Sequence, residues 1–217
     1  MKAKMKNKKW LLSLLFLCLT VVLMVPVQSQ AASTKAKALK AYRKMLAGST
    51  LEWGESNWYV STKNCKFAIA YIDNNSIPEL IIRNDVDTYH ASGYGLLYTY
   101  RKGKVQFVDV LSMNSKFYYY KKKGIFTDNY TGSGVSSTIY QKLSRGKSVT
   151  KLGKDIEYDW DGNVSRATYT DCSNSSNYKQ ISKSTFNRKL KKLVGSTKKN
   201  TVKFRANTKA NRSRYLK

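Results

Sequence analysis

Apolar and polar positions follow two different periods along this chain. From Ser33 to Ala47, "STKAKALKAYRKMLA", Leu39, Tyr42, Met45 and Leu46 fall on one helical face. Ser33 or Thr34 can cap the start and Gly48 can end it, so the spacing predicts a helix of about 15 residues. Beyond it the texture changes to short runs rich in Tyr, Val, Thr and Ile, separated by turns. "KFAIAYI" (Lys66 to Ile72) and "ELIIR" (Glu79 to Arg83) form one pair of such runs. "GLLYTYR" and "VQFVDVL" flank Lys102-Gly103-Lys104. "KFYYYKK" and "IFTDNY" flank Lys123-Gly124. "SSTIYQKL" and "SVTKLG" flank Ser144 to Lys147. "DIEYDW" and "VSRATYT" flank Asp161-Gly162-Asn163. A glycine in each turn supplies the positive φ that a tight hairpin wants. The helical period returns at Ile181 to Gly195, "ISKSTFNRKLKKLVG", with Ile181, Phe186, Leu190 and Leu193 as its apolar side.

These elements predict a mainly β fold with flanking helices. The sheet is expected as an antiparallel meander of hairpins, closed as a barrel, curled as a half-barrel or stacked in blade-like units, with one helix before it and one after. The expected organisation is a signal peptide over 1–31, an N-terminal helix over 32–49, an antiparallel β domain over 50–180, a C-terminal helix over 181–195 and a basic tail over 196–217. The tail reads as polar and loosely ordered, with one β-like patch from Val202 to Phe204.

The N-terminus changes the picture of where the chain works. Lys2, Lys4, Lys6, Lys8 and Lys9 precede an apolar run from Trp10 to Val27, and Ser29-Gln30-Ala31 follows as a small-x-small site. That order is a secretory signal peptide cut after Ala31. The competing reading is an uncleaved anchor, since 18 residues reach the lower limit for a span. Cleavage leaves no transmembrane span in the mature chain and places the protein outside the cell, retained at the wall or free.

The sequence carries 40 Lys and Arg against 13 Asp and Glu. Removing residues 1–31 takes away five lysines and no acid, so the mature chain has a formal charge of +22. From Cys172 to the end there are 14 basic residues and no acid. Such a balance usually indicates nucleic acid. For an exported chain the polyanions at hand are instead wall polymers, anionic lipid headgroups and acidic glycans, so no dedicated nucleic-acid role is expected. The plain alternative is solubility with weak adhesion to any anionic surface. Two cysteines remain after cleavage, Cys65 and Cys172. They form either one long-range disulfide in an oxidising setting or two free thiols.

The aromatic residues are the leading candidates for binding, with all 16 tyrosines in the mature part. In "KFYYYKKK", Phe117 and Tyr119 share one strand face while Tyr118 and Tyr120 share the other. If the second face is open, Tyr118 and Tyr120 beside Lys121 and Lys122 make a platform for a sugar ring carrying acidic groups. Lys191, Lys192, Lys198 and Lys199 would extend it. The competing reading is that tyrosine simply suits a half-buried sheet face.

Two carboxylate groups could support a hydrolase. "RNDVDTYHASGYG" holds Asp85, Asp87 and the single histidine, His90, in the longest polar connection, where they are either acid–base partners or a solvated loop. "DIEYDWDG" puts Asp155, Glu157, Asp159 and Asp161 on one strand face, as a glycosidase site needs or as a solvated face gives. The chain has no Gly-rich phosphate loop, no nucleophile elbow and no CxxC. The lysine-rich C-terminal region and the tyrosine strands give the leading expectation, a non-catalytic binding module for an anionic polymer or glycan. The alternatives are a carboxylate hydrolase and a cationic structural or host-directed protein.

The leader, the Ala/Lys/Leu helix, "FAIAYIDNNSIPELI", the Tyr-Lys-Gly hairpins and "ISKSTFNRKLKKLVG" together resemble a group of small secreted proteins of unknown function from Gram-positive, clostridia-like bacteria. Members commonly carry an Asp-rich loop between the first two strands. That loop resembles the calcium loops of FG-GAP repeats and dockerins. Aligned on it, this chain offers Tyr71 where the first carboxylate stands, then Asp73, Asn75, the Ile77 carbonyl and Glu79, with Ser76 in place of the sharp-turn glycine. Two carboxylates and one amide oxygen fall short of the six to eight oxygens calcium takes. No cofactor is expected, and the loop reads as a turn built on Asn74 and Asn75.

Overall fold

A computed structural model describes residues 26–53, 58–84, 93–112, 116–174 and 176–217. The expected leader up to residue 25 and the Asp85, Asp87 and His90 loop lie outside the described residues. Helix α1 runs from Pro26 to Ala47. It begins earlier than the apolar spacing indicates, and it buries Leu39, Tyr42 and Leu46 as that spacing requires, with Met45 half-buried and Ala38 buried beside them.

The β region is an antiparallel meander, as expected, but it closes into no barrel. It forms two open sheets and one short hairpin. The hairpin pairs β1 (Thr50–Trp53) with β2 (Trp58–Ser61). The first sheet contains β3 (Lys66–Ala70), β4 (Glu79–Asn84), β5 (Tyr94–Arg101) and β6 (Lys104–Ser112) in sequence order. The second contains β7 (Tyr118–Tyr120), β8 (Ile125–Gly132), β9 (Val135–Ser144), β10 (Lys147–Tyr158), β11 (Val164–Asp171) and β12 (Lys179–Gln180), again in order. Besides the expected hairpins, Ser133-Gly134 makes the β8–β9 turn, with φ of 51° and 74°.

Strand alternation sorts the core into layers. On the first sheet, Phe67, Leu80, Ile82, Leu96 and Tyr98 pack under α1. The alternate residues Ala70, Ile81 and Leu97 face the second sheet, where Phe117, Phe126 and Leu143 meet them. The far side of the second sheet is covered by α2 (Lys183–Val194) through Tyr120, Ile125 and Val194. Tyr140 and Tyr169 lie 5.9 and 5.2 Å from the Phe186 ring. The order of layers is helix, sheet, sheet, helix. The Ser182 hydroxyl caps α2 by accepting from the Thr185 N–H, and Gly195 ends it at φ 60°. Serine and glycine are the residues these two positions favour.

The tail is ordered and structural, contrary to the expectation of a loose end. β13 (Lys199–Thr201) adds to β7, and β14 (Arg205–Ala206) adds to β3, so the segment crosses from one sheet to the other along a shared edge. Val202 and Phe204, between them, pack into the inter-sheet core. Helix α3 (Lys209–Tyr215) follows, and Leu216 is fully buried against α1. The Asn207 amide donates to the Leu46 carbonyl at 2.9 Å and the Thr62 carbonyl at 3.1 Å. Its oxygen accepts from the Arg212 guanidinium at 2.8 Å. One asparagine thereby ties the tail to the end of α1 and the turn before β3.

Candidate functional site: a basic cleft at one end of the sandwich

In an up-and-down meander alternate turns share an end. Here the β5–β6, β7–β8 and β9–β10 turns lie together with the β3–β4 loop and with Thr34 of α1. They enclose an open cleft of about 670 Å³. Its rim carries Arg101 and Lys102 from the first turn, Lys122 and Lys123 from the second, and Lys142 and Arg145 from the third. Among the described residues that line it, Asp73 is the single carboxylate. All six cations except Arg101 are exposed. Tyr100, Ile77 and Leu143 give the lining some apolar surface.

The backbone at these turns is unusual. Lys102, Lys122 and Arg145 sit at φ 49°, 60° and 53°, in the left-handed region. Gly103 and Gly146 follow the first and last at 79° and 80°. Two consecutive positive φ values define the hairpin turn whose first position normally takes Asn, Asp or Gly. A long cationic side chain there is disfavoured, yet this chain places one at three turns that meet around one cleft.

The second turn is fixed by the loop "YIDNNSIPEL". The Lys122 N–H donates to the Tyr71 carbonyl at 3.0 Å, and the Gly124 N–H donates to the Ile72 carbonyl at 2.7 Å. Gly124 has φ +72°, and a Cβ there would lie 2.8 Å from the Leu143 carbonyl oxygen. The loop thus joins the two sheets at the cleft floor. Within it, Asp73 accepts from the Asn75 N–H at 3.0 Å and from the Asn75 amide at 2.7 Å. The Asn75 oxygen accepts from the Ile77 N–H at 2.6 Å. The oxygens that a metal loop would turn inward are engaged by the loop's own N–H groups, an Asx-turn arrangement.

Glu79, aligned with a metal ligand, is instead fully buried between the sheets. It accepts from the Ile72 N–H at 2.9 Å and from the Thr99 hydroxyl at 3.4 Å. Burial, with the Asp73 charge adding to it, pushes its carboxyl up to about 8. Asp73 is also raised by burial, opposed by the Asn75 N–H and by Arg101. Burial likewise raises the Tyr42 hydroxyl, which donates to the Pro78 carbonyl at 3.0 Å.

The other sequence candidates are scattered. Tyr120 is buried under α2 and makes no platform, because that face of the second sheet is covered by the helix. Tyr118 is half-buried, and the Lys199 ammonium lies 4.0 Å from its ring centre. That lysine therefore serves β13–β7 pairing as much as any ligand. Lys121 and Lys198 are exposed outside the cleft lining. Lys191 and Lys192 occupy the last turn of α2, which ends near Lys123, at the cleft end of the molecule. Only Lys122 of the expected binding residues lines the cleft.

The bridged reading of Cys65 and Cys172 does not hold in the structure. Both are free, buried thiols. Cys65 belongs to the core under α1, whereas Cys172 lies beside Gly153 in the second sheet, so different layers hold them. Burial raises both thiols, and Asp171 and Asp155 raise Cys172 further. The hydrolase acids of β10 lie away from the cleft. Glu157 pairs with Arg166 at 3.7 Å on an open surface, and Asp159 accepts turn N–H groups from Asp161 and Asn163. Among the described residues no group of three metal-ligating side chains occurs. No helix among them is long and apolar enough to cross a membrane.

The fold and cleft define the class as an open two-sheet sandwich with a cationic end. No family model matches the chain, and no curated protein or solved structure matches it.

Proposed function

We propose that the protein is an exported, non-catalytic module that holds an anionic polymer or acidic glycan at the cell surface. The leader supports the location, and the resemblance to small secreted proteins supports it further. The observation that carries the binding reading is the convergence of six cations and one carboxylate around one open cleft. Three of those cations sit in backbone conformations that long side chains disfavour, and strain of that kind collects where function requires it. Lysines on flexible stems suit a repeating anion held by charge rather than by a fixed fork. A cleft of this size is within the range of ligand sites, and its openness suits a chain passing through.

The test is titration of the mature chain with polyphosphate, an acidic glycan and neutral dextran over a series of salt concentrations. If all six cations are neutralised, log K falls against log salt with a slope near −4 to −5, about 0.7–0.9 for each contact. Lys102→Gln, Lys122→Gln and Arg145→Gln together reduce that slope by roughly 2–3. A control removing the exposed charges of Lys183, Lys209 and Lys217 leaves it unchanged. Binding of the first triple variant at wild-type strength rejects the cleft as the site.

A further inference from the structure

At the opposite end of the sandwich the β10–β11 turn carries acidic residues. β10 leaves the cleft at Lys147 and runs 12 residues to Tyr158, about 40 Å at 3.3 Å per residue. There the β10–β11 turn projects Trp160, which is fully exposed at 105%. The turn is well built. Asp159 accepts from the Asp161 N–H at 3.0 Å and the Asn163 N–H at 2.8 Å. Its own N–H donates to the Asn163 carbonyl at 2.9 Å. Tyr158, paired across the ladder with Val164, and Tyr130 add exposed apolar surface at this end. Asp159 and Asp161 flank Trp160 in sequence, and Glu157, paired with Arg166 at 3.7 Å, precedes them on β10.

We propose that the Trp160 turn of one copy docks in the basic cleft of a second copy, so that molecules join head to tail. The occupant follows from complementarity. The tip presents an aromatic residue flanked in sequence by two aspartates, and the cleft presents six cations around Tyr100, Ile77 and Leu143. A tryptophan face attracts Lys and Arg cations, and the carboxylates meet the same rim. The two surfaces stand at opposite ends of one strand, so a molecule cannot satisfy its own cleft. A contact of this heterologous kind propagates as an open chain unless rotation closes a ring. The large net positive charge opposes it at long range. At physiological salt the screening length of about 8 Å confines that repulsion, so the contact is weak and concentration-dependent. The inference uses the cleft but not the identity of its polymer, which competes for the same place.

Sedimentation velocity at 0.15 M salt tests it, with the mature chain from ~10 μM to ~1 mM, the range of a small transient interface. The mean mass rises with concentration. Trp160→Ala and Asp161→Lys, both at exposed positions, each weaken association at least fivefold, and so does Lys142→Glu at the cleft. Asp161→Lys and Lys142→Glu each associate less alone than in an equimolar mixture, because one supplies an intact cleft and the other an intact tip. Saturating polyphosphate disperses the wild-type chains. A monomer throughout the range overturns the proposal. So does association that Trp160→Ala leaves unchanged, a mixture that associates no more than either variant alone, or assemblies that polyphosphate leaves intact. Polyphosphate binding by Trp160→Ala below ~1 μM, where copies are separate, reads the cleft alone and so separates failure of docking from failure of the polymer reading.

Discussion

Replacing Glu79 by glutamine should flatten much of the pH dependence of stability. The carboxyl ordinarily titrates near 4.5 and is pushed to about 8 in the folded chain, chiefly by burial between the sheets. Between these values the folded state holds a proton that the unfolded state has released. Stability therefore falls as pH rises through that window, and is fully present below about 4.5. The difference corresponds to roughly 4–5 kcal/mol at 1.36 kcal/mol per unit, a large share of the 5–15 kcal/mol typical of a domain. Glutamine keeps an acceptor for the Ile72 N–H and an amide to face Thr99, with no charge to bury. Asp73 and Asp128 are also raised, the latter to about 6, so some slope remains in the variant, mostly at the acid end. Urea unfolding of both proteins at half-unit steps from pH 5 to 9 measures this. The variants should agree within about 1 kcal/mol at pH 5, while at pH 9 glutamine should be more stable by ~3–5 kcal/mol. A wild-type profile flat from pH 5 to 8.5, or the same slope in both proteins, would refute the reasoning.

Four further outcomes are expected. Gly124→Ala combines a left-handed backbone with a Cβ 2.8 Å from a carbonyl oxygen, and should lower unfolding free energy by about 2–4 kcal/mol in urea titrations. Asn207→Ala removes two hydrogen bonds that tie the tail to α1 and Thr62, and a third that Arg212 donates to it within the tail. It should destabilise by about 2–3 kcal/mol, and deletion of 196–217 should abolish cooperative unfolding because Val202, Phe204 and Leu216 leave the core with it. Because Asp73 and Asn75 oxygens already accept loop N–H groups, calcium at millimolar level should not raise the melting temperature, and a clear rise in calorimetry would show that the loop reorganises to bind it.

Local signals carried far in this chain. Glycine at positions 103, 124, 146 and 162, Gly195 at the end of α2 and the apolar face of Leu39, Tyr42 and Leu46 each reappear in the structure because neighbours in sequence decide them. The tail was misread for the converse reason. β13 pairs with a strand some 80 residues earlier and β14 with one about 140 earlier, and no periodicity in three or two residues can announce such partners. The aromatic platform failed because a tyrosine strand looks the same whether its second face meets water or a helix. The cleft was half legible. The Lys-Gly turns were read as turn chemistry alone, although in a meander alternate turns must gather at one end. The basic residue standing where a turn prefers Asn, at Lys102 and Arg145, was the available signal. The Asp85–His90 loop lies outside the described residues.

The left-handed lysines and arginine carry a consequence for how such a protein can change. Asn at 102, 122 and 145 would relieve the backbone, and each replacement should stabilise the fold modestly. Each would also remove a cation from the cleft. Selection for robustness and selection for grip therefore pull in opposite directions at the same three positions. Since Lys102, Lys122 and Arg145 belong to none of the core clusters, these three residues can be exchanged with little disturbance to the sheets. On the proposed function, the sandwich would serve as a chassis whose preference among anions is set by a few turn residues and can be retuned without refolding the rest.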